Sequence, residues 1–146
     1  MTRHRFLSDS CSQTRLVFGD SGMRNHSVLI IEDDEFVKNM LRQTFKQAGY
    51  EVATASNGRI GVQLYQSEPF DIVITDLIMP DMEGIETITH LRKCNPNVKV
   101  IAISGGGRNR PDDYLHLASK LGAARTFTKP VDRSALLDAV EDLISL

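Results

Sequence analysis

Short apolar runs alternate with segments of helical periodicity along most of the chain. Val28–Ile31 is an apolar run bounded by polar residues, which is typical of a strand buried on both faces. Apolar residues at helical spacing follow from Phe36 to Ala48, and Gly49 ends that helix. The alternation then recurs, and it predicts five strands, each followed by a helix.

The later elements are bounded by turn and capping residues. The other strands are predicted at Glu51–Ala55, Asp71–Thr75, Val98–Ile103 and Ala124–Thr128. Helices are predicted from Ile60 to Ser67, from Gly84 to Lys93, from Pro111 to Leu121, and after the N-cap residue Asp132. Strands that alternate with helices are joined by right-handed crossovers and pair in parallel, so the fold class is α/β.

Residues 1–26 differ from the rest, because they are polar and show no sustained period. They are interpreted as a flexible N-terminal extension, and Met23 is an alternative natural start. Residues 27–146 form one predicted domain, and no DNA-binding or enzymatic output domain is expected after Leu146.

Composition narrows the classes of function. The net charge of -2 gives no general attraction to nucleic acid or to acidic membrane surfaces. No apolar run approaches the roughly 20 residues that span a bilayer, and no signal peptide is recognised. Cys11 and Cys94 lack metal-type spacing and are interpreted as reduced thiols of a cytoplasmic protein.

Reactive side chains follow four of the five predicted strands. They are Asp33 with Asp34, Asp76, Ser104 and Lys129. Because sites in parallel α/β sheets gather at the carboxyl ends of strands, we expect these groups to meet at one edge. An aspartate can accept a phosphoryl group as an acyl phosphate, and Asp76 is the predicted acceptor.

Clustered carboxylates call for a cation, and Mg²⁺ suits carboxylate and carbonyl ligands. Asp34 and Asp76 are predicted as direct ligands, and Asp33 is predicted to act through a bound water. The backbone carbonyl of Ile78 is predicted to complete the set. Lys129 supplies a positive charge for a phosphate oxygen, and the hydroxyl of Ser104 can donate to another.

These motifs, in this order, resemble the receiver domain of two-component response regulators. The resemblance rests on Asp33-Asp34, on Asp76-Leu77-Ile78-Met79-Pro80 with Gly84 beyond, on Ser104-Gly105 and on Lys129-Pro130. It implies a flavodoxin-like (βα)5 three-layer sandwich whose parallel sheet has the strand order 2-1-3-4-5. It also implies a cis bond before Pro130.

The resemblance implies a function as well. Asp76 would accept a phosphoryl group from a sensor histidine kinase or a phosphotransfer protein, with Mg²⁺ bound by Asp33 and Asp34. Ser104 would move toward the phosphate, and Phe127 would turn inward. The surface around the fourth helix, fifth strand and fifth helix would then change for a downstream protein. Such a domain is no classical enzyme, although it assists its own phosphorylation and dephosphorylation.

Two alternatives stay open. A haloacid-dehalogenase-like phosphatase also forms an aspartyl phosphate, but it normally has an acid two residues after the nucleophile, where this chain has Ile78. The other alternative is a receiver-fold interaction module that is never phosphorylated. Output of a stand-alone receiver depends on a protein partner, on a relay role or on self-association.

Overall fold

The strands form a single parallel sheet in the part of the chain that the computed structural model describes, which is residues 26–77, 83–105, 116 and 118–146. Its strand order is β2-β1-β3-β4-β5, and every neighbouring pair is parallel. The strands are β1 (Ser27–Ile31), β2 (Glu51–Ala55), β3 (Ile72–Asp76), β4 (Val100–Ser104) and β5 (Arg125–Thr128). The predicted α/β class and the strand order implied by the resemblance are both confirmed.

The helices begin and end close to their predicted bounds. They are α1 (Glu35–Gln47), α2 (Gly58–Ser67), α3 (Glu83–Cys94) and a last helix at Arg133–Ser145. The side chains of Asn57 and Asp132 accept hydrogen bonds from backbone N–H groups in the first turns of α2 and of the last helix. The predicted helix from Pro111 lies largely outside the described residues. Residues 1–25 of the predicted extension also lie outside them.

Each face of the sheet is covered by helices, which gives three layers. The alternate residues Val28 and Ile30 of β1 face α1 and the last helix, where they pack with Leu41, Phe45 and Leu136. Leu29 and Ile31 face the other side, which is covered by residues of α2 and α3, among them Tyr65, Ile88 and Leu91. Burial on both faces explains why the strands are apolar without interruption.

None of the helices in the described ranges has the length and the apolar character that crossing a bilayer requires.

Candidate functional site

Asp76 is the last residue of β3 and is only 4% exposed. It pairs in register with Ile103 of β4, so β3 runs one residue beyond its predicted end. Beyond it, the N–H of Leu77 donates to the carbonyl of Ile103 at 2.8 Å. The carboxylate is therefore fixed at the carboxyl edge of the sheet, close to the end of neighbouring β1.

Three carboxylates meet at that edge. Oxygens of Glu32, Asp33 and Asp76 all lie within 4.8 Å of one another. Glu32 and Asp33 directly follow β1, while Asp76 ends the adjacent strand β3. Glu32 and Asp76 are buried and Asp33 is exposed, so the cluster opens to solvent on one side. The parallel register thus assembles an oxygen-rich site from two neighbouring strand ends.

Lys129 bridges the two buried carboxylates. Its Nζ lies 3.2 Å from Oδ2 of Asp76 and 3.2 Å from Oε1 of Glu32. The N–H of Lys129 donates to the carbonyl of Ser104 at 2.9 Å, which fixes the backbone from which the side chain reaches across. Gly105 lies under that side chain, and a Cβ there would approach Cδ of Lys129 to 3.0 Å. The cis bond between Lys129 and Pro130 is confirmed.

Burial changes the ionisation of this cluster. It raises the pKa of Glu32 to about 7, with the nearby charge of Asp76 as the second cause. Burial alone would lower the pKa of Lys129, but the carboxylates of Asp76 and Glu32 outweigh it and raise that pKa. Lys129 stays charged, and its single positive charge faces three acidic groups. The site is therefore suited to a divalent cation.

Ser104 ends β4 and is fully buried. Within the described residues its hydroxyl oxygen has no hydrogen-bond partner, which is uncommon for a buried polar group. It pairs in register with Thr128, the residue before Lys129. Ser104 thus ends the strand that lies between β3, which ends at Asp76, and β5, which precedes Lys129. Its position at the end of a strand agrees with the sequence, and donation by its hydroxyl to a phosphate stays a prediction.

Asp34, predicted as a direct metal ligand, has a different place. Its Oδ1 accepts hydrogen bonds from the N–H groups of Phe36 at 2.9 Å and Val37 at 3.1 Å, so Asp34 is the N-cap of α1. Glu32 takes the place in the cluster that was predicted for Asp34. The available signal was that Asp34 directly precedes the first residue of a helix, a position that favours an aspartate cap.

Of two more predicted site residues, Phe127 and Ile78, only Phe127 lies within the described residues. Phe127 lies in β5 next to Ile103, is partly buried, and packs against the apolar cluster on the α1 side of the sheet. Its role as a switch stays a prediction. Ile78 lies outside the described residues, so its carbonyl as a ligand also stays a prediction.

Comparison with known proteins decides the family. The model of the response regulator receiver domain matches residues 28–141. The chain belongs to the response regulator receiver domain family. It is 39% identical over 114 residues to the chemotaxis protein CheY of Thermotoga maritima, covering 77% of this chain and 92% of that protein. It is 30% identical over 124 residues to sporulation initiation phosphotransferase F of Bacillus subtilis, covering 85% and 98%.

Solved receiver structures share the fold. A CheY-like receiver domain from Methanospirillum hungatei superposes with a TM-score of 0.76 at 26% identity, covering 84% of this chain and 95% of that one. A receiver domain from Clostridium thermocellum gives 0.75 at 30% identity, covering 82% and 94%. The fold and the family therefore agree. Receiver domains of this family are phosphoacceptor signalling modules and not classical enzymes.

Proposed function

We propose that this receiver accepts one phosphoryl group on Asp76 and signals through protein contacts. The observation that carries the proposal is the cluster of Glu32, Asp33 and Asp76, bridged by Lys129 at the carboxyl edge of the sheet. In the transfer step, an oxygen of Asp76 forms the new P–O bond. The P–N bond of the donor phosphohistidine breaks, and the imidazole leaves with its electron pair.

Mg²⁺ is the proposed cofactor, held by Glu32, Asp33 and Asp76, with Asp33 on the solvent side. When bound, it would neutralise charge on the oxygens of the transferring group. Asp76 supplies the accepting oxygen, and Lys129 supplies a positive charge within reach of that oxygen. Ser104 holds a hydroxyl that can donate to a phosphate oxygen after a small movement. The same groups would assist hydrolysis of the phosphorylated form.

The proposed donor is a sensor histidine kinase or a histidine phosphotransfer protein. Two features support a docked protein donor. Asp33 is the solvent-facing member of the cluster, so the donor approaches from that side. Phe36, in the first turn of α1, exposes 79% of its surface and offers an apolar contact beside the site.

The proposed output is a change on the face that carries β5 and the last helix. Phe127 pairs with Ile103, the neighbour of Ser104 in β4, so movement of the Ser104 hydroxyl toward a phosphate would change the packing next to this ring. A downstream protein, or a second copy of the domain, would bind the altered face. We propose a cytoplasmic location on the basis of the similarity to CheY and to sporulation initiation phosphotransferase F.

The test is intact mass after incubation with acetyl phosphate, with Mg²⁺ or with EDTA. The proposal predicts a gain of one phosphoryl group that requires Mg²⁺ and is absent from Asp76→Asn. No gain on the folded wild-type protein would contradict it and would favour an interaction module that is not phosphorylated. Steady release of phosphate from phosphate esters would instead indicate a phosphatase.

A further inference from the structure

Lys38 joins α1 to the segment that follows β2. Its Nζ donates to Oγ of Ser56 at 2.8 Å and to Oε2 of Glu35 at 2.9 Å. The lysine side chain is only 11% exposed, whereas that of Glu35 is 71% exposed. A lysine is seldom this buried without a specific role for its charge. The contact with Ser56 is the one that links two elements, because Glu35 lies on the same helix as Lys38.

The link lies beside the segment between β1 and α1, which carries two acids of the cluster, Glu32 and Asp33. The N–H of Lys38 donates to the carbonyl of Asp34 at 2.9 Å, and the N–H of Glu32 donates to the carbonyl of Ala55 at 3.0 Å. The segment 32–34 is thus attached to the end of β2 twice. One attachment is the backbone bond to Ala55, and the other runs through Lys38 to Ser56.

We propose that Lys38 is a positioning residue, which acts through Ser56 to hold segment 32–34 in the geometry that Mg²⁺ requires. The proposal rests on the proposed function of Glu32 and Asp33 as ligands. Neither Lys38 nor Ser56 belongs to the carboxylate cluster. Mg²⁺ demands nearly ideal octahedral geometry, so a small shift of the ligand segment weakens binding. Loss of groups that orient metal ligands commonly costs about tenfold or more in affinity.

Charge and position predict opposite results for removal of Lys38. If the ammonium group acted only through its positive charge, Lys38→Met would strengthen the binding of a cation to the nearby acids. If it holds the segment in place, the same substitution weakens binding. Ser56→Ala separates the two effects further, because it removes the link and leaves every charge in place.

The experiment is titration of the metal-free protein with Mg²⁺ by isothermal calorimetry. Wild type is compared with Lys38→Met, Ser56→Ala and the double variant. Lys46→Met removes a charge from the exposed far end of α1, and Ser67→Ala removes a hydroxyl from the exposed end of α2. These two are the matched controls. Thermal unfolding in EDTA reports whether each variant is folded.

Both test variants are expected to raise the dissociation constant for Mg²⁺ about tenfold, with the controls unchanged. The double variant is expected to lose no more affinity for Mg²⁺ than Lys38→Met alone, because both substitutions break the same link. Tighter binding by Lys38→Met, or unchanged binding by folded Ser56→Ala, would overturn the positioning role and leave the proposed function intact. Failure of wild type to bind Mg²⁺ would overturn both.

Discussion

The adjacent carboxylates of Asp33 and Asp34 perform different tasks although they are neighbours in the chain. Asp33 belongs to the acidic cluster, and Asp34 accepts two backbone hydrogen bonds at the start of α1. The division follows from geometry, because β1 ends at Ile31 and α1 begins at Glu35. The residues between these elements must serve both the site and the helix end.

Removal of each carboxylate should therefore affect a different property. Asp34→Ala is expected to lower the free energy of unfolding by about 1 kcal/mol, the usual cost of losing an N-cap, with little effect on Mg²⁺ affinity. Asp33→Ala is expected to abolish most Mg²⁺ binding. Urea unfolding in EDTA and calorimetric titration measure the two properties. Loss of Mg²⁺ binding in Asp34→Ala equal to that in Asp33→Ala would restore Asp34 as a ligand.

The raised pKa of Glu32 makes stability depend on pH. The carboxyl titrates near 4.5 in the unfolded chain and near 7 in the folded protein. Between these values the folded state retains a proton that the unfolded state has released, so the free energy of unfolding falls as pH rises. Because one pKa unit corresponds to about 1.4 kcal/mol, the total fall attributable to Glu32 is at most about 3 kcal/mol.

The comparison that isolates this effect is wild type against Glu32→Gln in metal-free buffer. Over the interval from pH 4.5 to pH 7, wild type is expected to lose more stability than the variant. Urea unfolding at several pH values gives the two slopes. Parallel slopes would show that burial does not raise the pKa of Glu32.

Among the elements, the approach of α3 to the end of β3 depends on Gly84. A Cβ at this position would lie 2.5 Å from the carbonyl oxygen of Asp76 and 2.8 Å from that of Leu77. These atoms are backbone and cannot rotate away. The helix can therefore lie against the acceptor strand only if residue 84 has no side chain, which is a packing reason for the glycine.

Gly84→Ala is expected to destabilise the protein by about 1–3 kcal/mol through overpacking and to slow phosphorylation of Asp76. Helix propensity alone would make alanine more stable than glycine at this position by about 1 kcal/mol. A loss of stability would therefore be due to the close contact and not to helix propensity. Thr89→Ala, on the exposed face of α3, is the control. Urea unfolding and the rate of mass gain measure the effects. A stabilised Gly84→Ala variant would contradict the close approach.

The sequence predicted these elements better than their contacts. Uninterrupted apolar runs such as Val28–Ile31 and glycine stops such as Gly49 are local signals, and both agree with the structure. The pairing of β1 with both β2 and β3 is a long-range property, and it came from the family resemblance rather than from periodicity. The place of Glu32 needed the register of the sheet. A local helix-cap signal marks Asp34, but no local pattern shows which of the neighbouring acids join the cluster.

For the whole molecule, folding and cation binding should be coupled. The proposed ligands come from the segment after β1 and from the end of β3, and these meet only in the folded sheet. Mg²⁺ at about 100 times its dissociation constant is therefore expected to raise the free energy of unfolding by about 2.7 kcal/mol. Urea unfolding with and without Mg²⁺ measures this. Equal stabilisation of Asp33→Ala would show that the ion binds elsewhere.

In the proposed function, the carboxylate of Asp76 carries one phosphoryl group. The most direct test is to phosphorylate the protein with acetyl phosphate and Mg²⁺, reduce the acyl phosphate with borohydride, and map the peptides by mass spectrometry. Reduction converts a phosphorylated aspartate into homoserine. Homoserine is expected at position 76 and at no other aspartate. Homoserine at position 33, or a phosphate ester on Ser104, would contradict it.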